Sequence, residues 1–506
     1  MTTQTQVPFP DGWLDRFDDF AGTFVKHNDV PGAAVAVTKD GETVYLRAFG
    51  LRDREAGLAA TPSTRFGIAS LTKSFTVLAL LALQAKGVLA LHDPVRRFLP
   101  SFDYPGLDAL GEVLLWHMAS HTSGIPPLRA LDYAIHPSQV GDPAEAFQTR
   151  DYRDAPSVQT VDELLAYLRR GERAPLGVPG TYVSYSNDAY GLLGAVIERA
   201  TGTPYADVMA EEVFAPLGMD SATFDTRAAE ASGDLTRLYT RTPDQRVILS
   251  PQWEEAPAHL ATGFLKSNVE DLAKSLAFWT ARDGEGGGGA RRSWLAPGAS
   301  ADAWRSRAWA GPGVGYGLGW MVHRGVFDGA TLVRHGGSLK GVSAHQGFVP
   351  ELGLGVAILT NLDEAPVKRL WHAAVNAAMG VPLERAPYPD APGHARPVET
   401  GDGLAGVYGS GEPWGRLELR WVRSDVSPAG GAHVTSDGGA QELRAFTGED
   451  AVDAGRLAPL ADDEFVLVGE AGAWDGGRFH RDDAGRVVAM QYGLRWYDRW
   501  EESAKD

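Results

Sequence analysis

The chain contains no cysteine. That excludes disulfides, thiolate metal centres and a cysteine nucleophile. It also lacks an excess of positive charge: 47 Lys and Arg stand against 65 Asp and Glu, a formal net charge of −18. A nucleic-acid-binding surface would be basic, as would a patch that docks on anionic membranes, so neither partner is expected. No run of 18 apolar residues occurs, and no transmembrane helix is expected. The N-terminal stretch "MTTQTQVPFPDGWLDRFDDF" has no basic start and no unbroken apolar segment. It does not read as a secretory leader, and the chain is read as cytoplasmic.

What is present is ordinary globular composition at a length, 506 residues, that admits two or more domains. Trp13, Phe17, Phe20 and Phe24 recur at helical spacing and predict an amphipathic helix over residues 11 to 28. Asp40-Gly41 between two β-rich runs predicts a hairpin. "GEVLLWHMASHTSG" (111–124) reads as a helix ending at Gly124, and residues 125 to 157 as a long, weakly patterned loop of the kind that walls active sites. Helices are predicted at 161–170, 188–201 and 365–379, and strands at 330–336, 343–348 and 353–361. "GEGGGGA" (284–290) fits G-x-G-x-x-G but follows no strand, so it reads as a surface loop and not a dinucleotide site.

One stretch poses a chemical question. "GIASLTKSFTVLALLALQAKG" (67–87) is apolar on nearly every side, which predicts a buried helix stopped by Gly87. Lys73 nevertheless sits in its first turn. A buried ammonium is costly unless paired. On a helix, i and i+3 share a face, so Lys73 lies beside Ser70, within the chain's sole Ser-x-x-Lys. A serine hydroxyl becomes a strong nucleophile only when a neighbour takes its proton, and a helix N-terminus favours developing negative charge.

Two further motifs follow in order: Tyr185-Ser186-Asn187 ahead of a helix, and His335-Gly336-Gly337, read as the end of a strand whose glycines would let a ligand approach the backbone. Each is weak alone. In this order, with "LHDPVRRFLP", "HMASHTSG", "FAPLGMDSATF", "GVGYGLGW" and "GLGVAILTN" beside them, they resemble the serine β-lactamase and penicillin-binding superfamily, in its class C β-lactamase-like branch of D-aminopeptidases, D-alanyl-D-alanine carboxypeptidases and esterases. The resemblance runs from about residue 20 to 380. It implies an α+β fold of an antiparallel sheet flanked by helices with an all-helical subdomain. After a Pro- and Ala-rich linker (383–400), the short β-like runs of 401–506 predict a small C-terminal β-barrel or sandwich. The hydrolase unit is thus expected over 1–382.

The resemblance also implies roles. Ser70 would be the acylated nucleophile, Lys73 would lower its pKa and pass protons, and Tyr185 would be the general base, its phenolate favoured by the adjacent cation. Asn187 would bind the substrate amide and hold Lys73. The N–H groups of Ser70 and Ser338 would form the oxyanion hole, with His335 and Gly337 completing the substrate wall. The third motif departs from the Lys-Thr-Gly of class C β-lactamases, which disfavours efficient β-lactam hydrolysis. "HLATGFLKSNVEDLAK" lacks the double glycine usual there.

Other signals are weaker. His117 and His121 are four apart, a metal-like spacing, but no Glu follows His117, and both read as part of a structural turn. His345 and His372 read as ordinary polar residues, and no Gly-x-Ser-x-Gly elbow supports an α/β-hydrolase. The expectation is a serine hydrolase without cofactor or metal, acting on a small-molecule or peptide substrate, possible as a homo-oligomer. A peptidase or amidase on small peptides, some with D-residues, leads; an esterase, a β-lactamase and a non-catalytic peptide sensor are the alternatives. The barrel would cap the cleft, with Trp414 in "GEPWGR" at the entrance.

Overall fold

The computed structural model describes residues 11–147, 152–281, 294–385 (except 328) and 403–500, the last with short gaps at 413–414, 425–432, 435–439, 449–450, 461–462 and 469–473. Its spine is a nine-stranded sheet in the order Leu58–Ala59, Glu42–Asp53, Gly32–Lys39, Leu354–Thr360, Val342–Val349, Ala330–Leu339, Met321–Val326, Val314–Tyr316, Ala308–Gly311. Every pairing in it is antiparallel. The central strands Gly32–Lys39, Leu354–Thr360 and Val342–Val349 are buried almost throughout because both faces are covered, and a strand's side chains alternate between faces. In Gly32–Lys39, Ala33, Val35 and Val37 point into one core while Ala34 and Ala36 point into the other. The first core lies under the terminal helices Trp13–His27 and Val367–Met379. The second is the helical side, built around Thr72–Ala85.

That helix is buried from Thr72 to Leu83 and ends before Gly87, whose φ of +71° a side chain would strain. The expected hairpin is present, with Asp40 and Gly41 both at positive φ. Two local expectations need correction. The helix expected over 111–124 is only Leu115–Ala119. His121 adopts φ +57°, and the amide of Thr122 closes on the carbonyl of His117 at 2.7 Å, so the chain turns away. The segment 125–157 is not one open loop: Ala130–Ile135 is helical, with 3₁₀ turns at His136–Ser138 and Pro143–Phe147. The glycine run at 284–290 and most of the linker lie outside the described residues.

After the linker the chain forms a closed antiparallel barrel of eight strands, from Gly406–Gly409 to Arg495–Trp500. It closes because Arg416–Ser424 pairs with both Gly406–Gly409 and Ala440–Thr447, while Arg495–Trp500 returns to Gly406–Gly409. Closure removes free edges, and side chains such as Tyr408, Phe465, Phe479 and Met490 fill the interior. The barrel docks on the first unit through a small apolar cluster, in which its Leu494 meets Val183, Tyr185, Ala310 and Tyr316, and through ring contacts of His480 and Trp496 with Tyr182. Beside it Gln491 Nε2 donates to the carbonyl of Val183 at 2.7 Å, and Arg173 pairs with Asp498.

Candidate active site

The nucleophile turn is strained at its first step. Ala69, immediately before Ser70, is non-glycine at φ +47° and fully buried. Such conformations persist only where the surroundings impose them. They are imposed here by the 3₁₀ turn Ala69–Leu71, which feeds Thr72–Ala85 and leaves Ser70 at the mouth of the helix. The strand Ala330–Leu339 presses on this turn. A Cβ on Gly337 would lie 2.6 Å from the carbonyl oxygen of Ile68 and 3.2 Å from the amide of Ser70. What comes close to the Gly337 backbone is therefore the nucleophile turn itself. His335 is in mid-strand, not at a strand end, because the strand continues to Leu339.

The buried lysine has its answer in three contacts. Lys73 Nζ lies 3.1 Å from Ser70 Oγ, 3.1 Å from Asn187 Oδ1 and 2.7 Å from the carbonyl of Thr262. An ammonium satisfies all three by donating. A neutral amine donates to the two obligate acceptors and takes the third contact, the Ser70 hydroxyl, as an acceptor. Burial pushes the Lys73 pKa well below its ordinary value, and the Arg495 guanidinium adds to this. Both effects favour the amine, the form able to take the Ser70 proton.

Tyr185 closes the site from the other side. Its ring lies 4.7 Å from Lys73 Nζ, and Ser70 is close enough to its hydroxyl to favour the ionised form. Burial drives its pKa up, against the hydrogen bond from Ser70 and the charge of Arg495, which draw it down. At rest, then, the environment favours a neutral phenol rather than the phenolate that an adjacent cation alone would predict. Lys73 amine with Tyr185 phenol, and Lys73 ammonium with Tyr185 phenolate, differ by the transfer of one proton. Ser186 caps the following helix by accepting from the amide of Ala189 at 3.1 Å, which places Asn187 at the helix start facing Lys73.

His335 accepts from Tyr316 Oη at Nε2 (3.0 Å) while its Nδ1 meets the carbonyl of Gly336 (2.6 Å), which fixes the Nδ1–H tautomer. Burial drives its pKa down to about 3, so the wall that holds it is uncharged. Ser338 is exposed on the same strand. Each of the two metal-spaced histidines uses Nδ1 to accept a backbone N–H, His117 from Leu114 and His121 from Ser186. Among the described residues no group of three or more His, Asp and Glu is arranged to hold a metal.

Several contributors carried no sequence signal. Thr262 acts through its carbonyl, which any residue possesses. The His121, Tyr190 and Tyr316 rings pack around the centre; His121 and Tyr316 stand in the flanking segments "HMASHTSG" and "GVGYGLGW", which assign neither of them a place in the site. The barrel supplies the rest. Leu494 accepts from the amide of Tyr185 at 2.7 Å, and the Arg495 guanidinium lies 4.5 Å from the centre of the Tyr185 ring. Trp414, the expected entrance residue, lies outside the described residues.

Comparison with known proteins places the fold in a family. A family model described as Beta-lactamase matches residues 17–379. The esterase EstB of Burkholderia gladioli is 32% identical over 377 residues, covering 68% of this chain and 90% of that protein. Penicillin-binding protein 4 of Amycolatopsis lactamdurans is 28% identical over 406 residues, 78% of this chain and 96% of its own length. The structure of an octameric penicillin-binding protein homologue from Pyrococcus abyssi superposes with a TM-score of 0.64 at 26% identity, covering 96% of this chain and 99% of that one. The last likeness thus takes in the barrel as well. Among the described residues no helix is long and apolar enough to cross a membrane.

Proposed function

The chain belongs to the Beta-lactamase family of serine hydrolases, and from that premise we propose that it cleaves small peptides or amides, some with D-residues, through an acyl-enzyme on Ser70. Ser70 Oγ bonds to the substrate carbonyl carbon as its proton passes to the Lys73–Tyr185 pair. The pair returns a proton to the leaving nitrogen as the bond to it breaks. A water then gives its proton to the pair while its oxygen bonds to the acyl carbon, and Ser70 departs protonated. The amides of Ser70 and Ser338 receive the oxyanion, Asn187 orients the substrate amide and Lys73, and His335 and Gly337 form the neutral wall. The observation that carries this reading is Ser70 Oγ at 3.1 Å from Lys73 Nζ, with the Tyr185 ring 4.7 Å from the same nitrogen.

An ester is the second substrate class, favoured by the likeness to EstB. A β-lactam ranks third, because His335 is held uncharged where a lysine would grip its carboxylate. Turnover of p-nitroanilides, p-nitrophenyl esters and nitrocefin by the wild type decides the order. Nitrocefin turned over best would reverse it, and failure of a fluorophosphonate to label Ser70 would leave a peptide-binding sensor. We further propose a homo-oligomer, supported by the likeness to the octameric homologue and tested by sedimentation, in the cytoplasm, tested by cell fractionation. Its units would be 1–382 and 401–506, joined by 383–400, with limited proteolysis as the test.

A further inference from the structure

We propose that Arg495, carried by the last strand of the barrel, is a positioning residue for Tyr185, and that Glu412 sets how strongly it acts. The inference rests on the roles given above to Ser70, Lys73 and Tyr185, and it makes the barrel part of the catalytic unit rather than a cap over it.

Two consecutive barrel residues grip Tyr185. The Leu494 carbonyl takes its amide hydrogen at 2.7 Å, and the Arg495 guanidinium covers its ring at 4.5 Å. Arg495 is itself tethered: its Nε donates to Glu412 Oε2 at 2.7 Å, and the two side chains are only 18% and 6% exposed. The turn that delivers them breaks a local rule. Gly493 and Leu494 form the two-residue loop between Val487–Tyr492 and Arg495–Trp500, both at positive φ. Such loops favour Asn-Gly or Gly-Gly, and a leucine at φ +65° is strained. Here the strain is offset by what the leucine does. Its side chain enters the cluster with Val183, Tyr185 and Tyr316, and its carbonyl meets Tyr185. Local violations of this kind mark functional positions.

The charge has a definite consequence. Around Tyr185 stand Lys73, the imidazoles of His121 and His335, the phenols of Tyr190 and Tyr316, Arg495 and its partner Glu412. Burial holds both imidazoles neutral and both phenols protonated. The groups left to set the protonation of the pair are Lys73, Arg495 and Glu412. Arg495 favours the ionised form of Tyr185 and disfavours the charged form of Lys73, so it drives protons off the pair. Glu412 opposes it at Tyr185.

The test is the pH dependence of Ser70 labelling by a fluorophosphonate on the full-length protein, which needs no knowledge of the substrate. Removing the cation in Arg495→Gln makes the pair hold its proton longer. The acid limb should move up by about one to two pH units, for a charge this close and partly buried. At a fixed pH on the acid limb, labelling should fall about tenfold or more. Arg495→Lys should restore the limb, and Glu412→Gln should move it down. Slower labelling with an unmoved limb in Arg495→Gln, or limbs displaced in the same sense by Arg495→Gln and Glu412→Gln, would overturn the proposal. If Arg495→Gln does not fold, the Arg495→Lys and Glu412→Gln profiles decide. A Ser70→Ala protein that is still labelled would overturn the underlying reading of the nucleophile instead.

Discussion

The two sides of the nucleophile are built by different rules. On the side of Ser70, Lys73 and Asn187, each side chain is placed by its position near a helix start: three residues apart on one face, or just past an N-cap serine. On the barrel side, Leu494 and Arg495 are placed by one strained two-residue turn and an ion pair to Glu412. The first arrangement follows from local geometry inside one core. The second exists only when the barrel docks, through small apolar contacts and a few polar ones. The near side is expected to be robust and chemically decisive, and the barrel side to be tunable.

Variants break that comparison in order of expected effect. Ser70→Ala should abolish acylation with the fold intact, since a small residue already precedes it in the same turn. Intact-mass measurement after exposure to an acylating inhibitor checks this, and an adduct on the variant would remove Ser70 from its role. Tyr185→Phe keeps the ring but removes the hydroxyl, and kcat should fall by about 10²-fold or more, the usual worth of a positioned proton acceptor. An unchanged kcat would leave proton transfer to Lys73 alone. Gly337→Ala forces a methyl to within 2.6 Å of the Ile68 carbonyl. It should displace the nucleophile turn and cost about 1–3 kcal/mol of stability in a denaturant titration, together with activity. A fully active, stable alanine variant would show that the close approach is not needed.

The smallest effect separates the two sides through acid stability. His335 is driven down to about 3 and His117 to about 4, both chiefly by burial. The unfolded chain protonates them near 6.5. Between those values the unfolded state binds more protons, so the stabilisation from burying neutral imidazoles is full above pH 6.5 and falls as the pH drops toward 4. The melting temperature should therefore decline over that window, and His335→Gln should flatten the decline. The barrel-borne His480, lowered to about 4, should contribute less, because its ring lies at the interface against Tyr182 and Trp496. A His480→Gln profile flatter than that of His335→Gln would reverse the ranking.

Much of the near side was legible beforehand. Ser70, Lys73, Tyr185 and Asn187 come together from separate motifs, while Gly337 meets the nucleophile turn and not the ligand its glycines suggested, and the Asp40-Gly41 hairpin and the Thr72–Ala85 helix formed because local propensity and tertiary packing agree there. The helix expected at 111–124 failed because an apolar period says nothing of a residue such as His121, which a neighbouring backbone holds at positive φ.

By itself the sequence determined the class of chemistry, through three ordered motifs, Ser70-x-x-Lys73, Tyr185-x-Asn187 and His335-x-Gly337, and the family they resemble. Only the tertiary structure decided the protonation of that lysine and of Tyr185, because burial and the Arg495 charge act through space and not along the chain. Only it decided that a carbonyl at Thr262 and a guanidinium at Arg495 share one centre with Ser70. A backbone carbonyl looks the same at every position of a sequence, and an arginine more than 400 residues from Ser70 carries no mark of its neighbours until the barrel closes and docks.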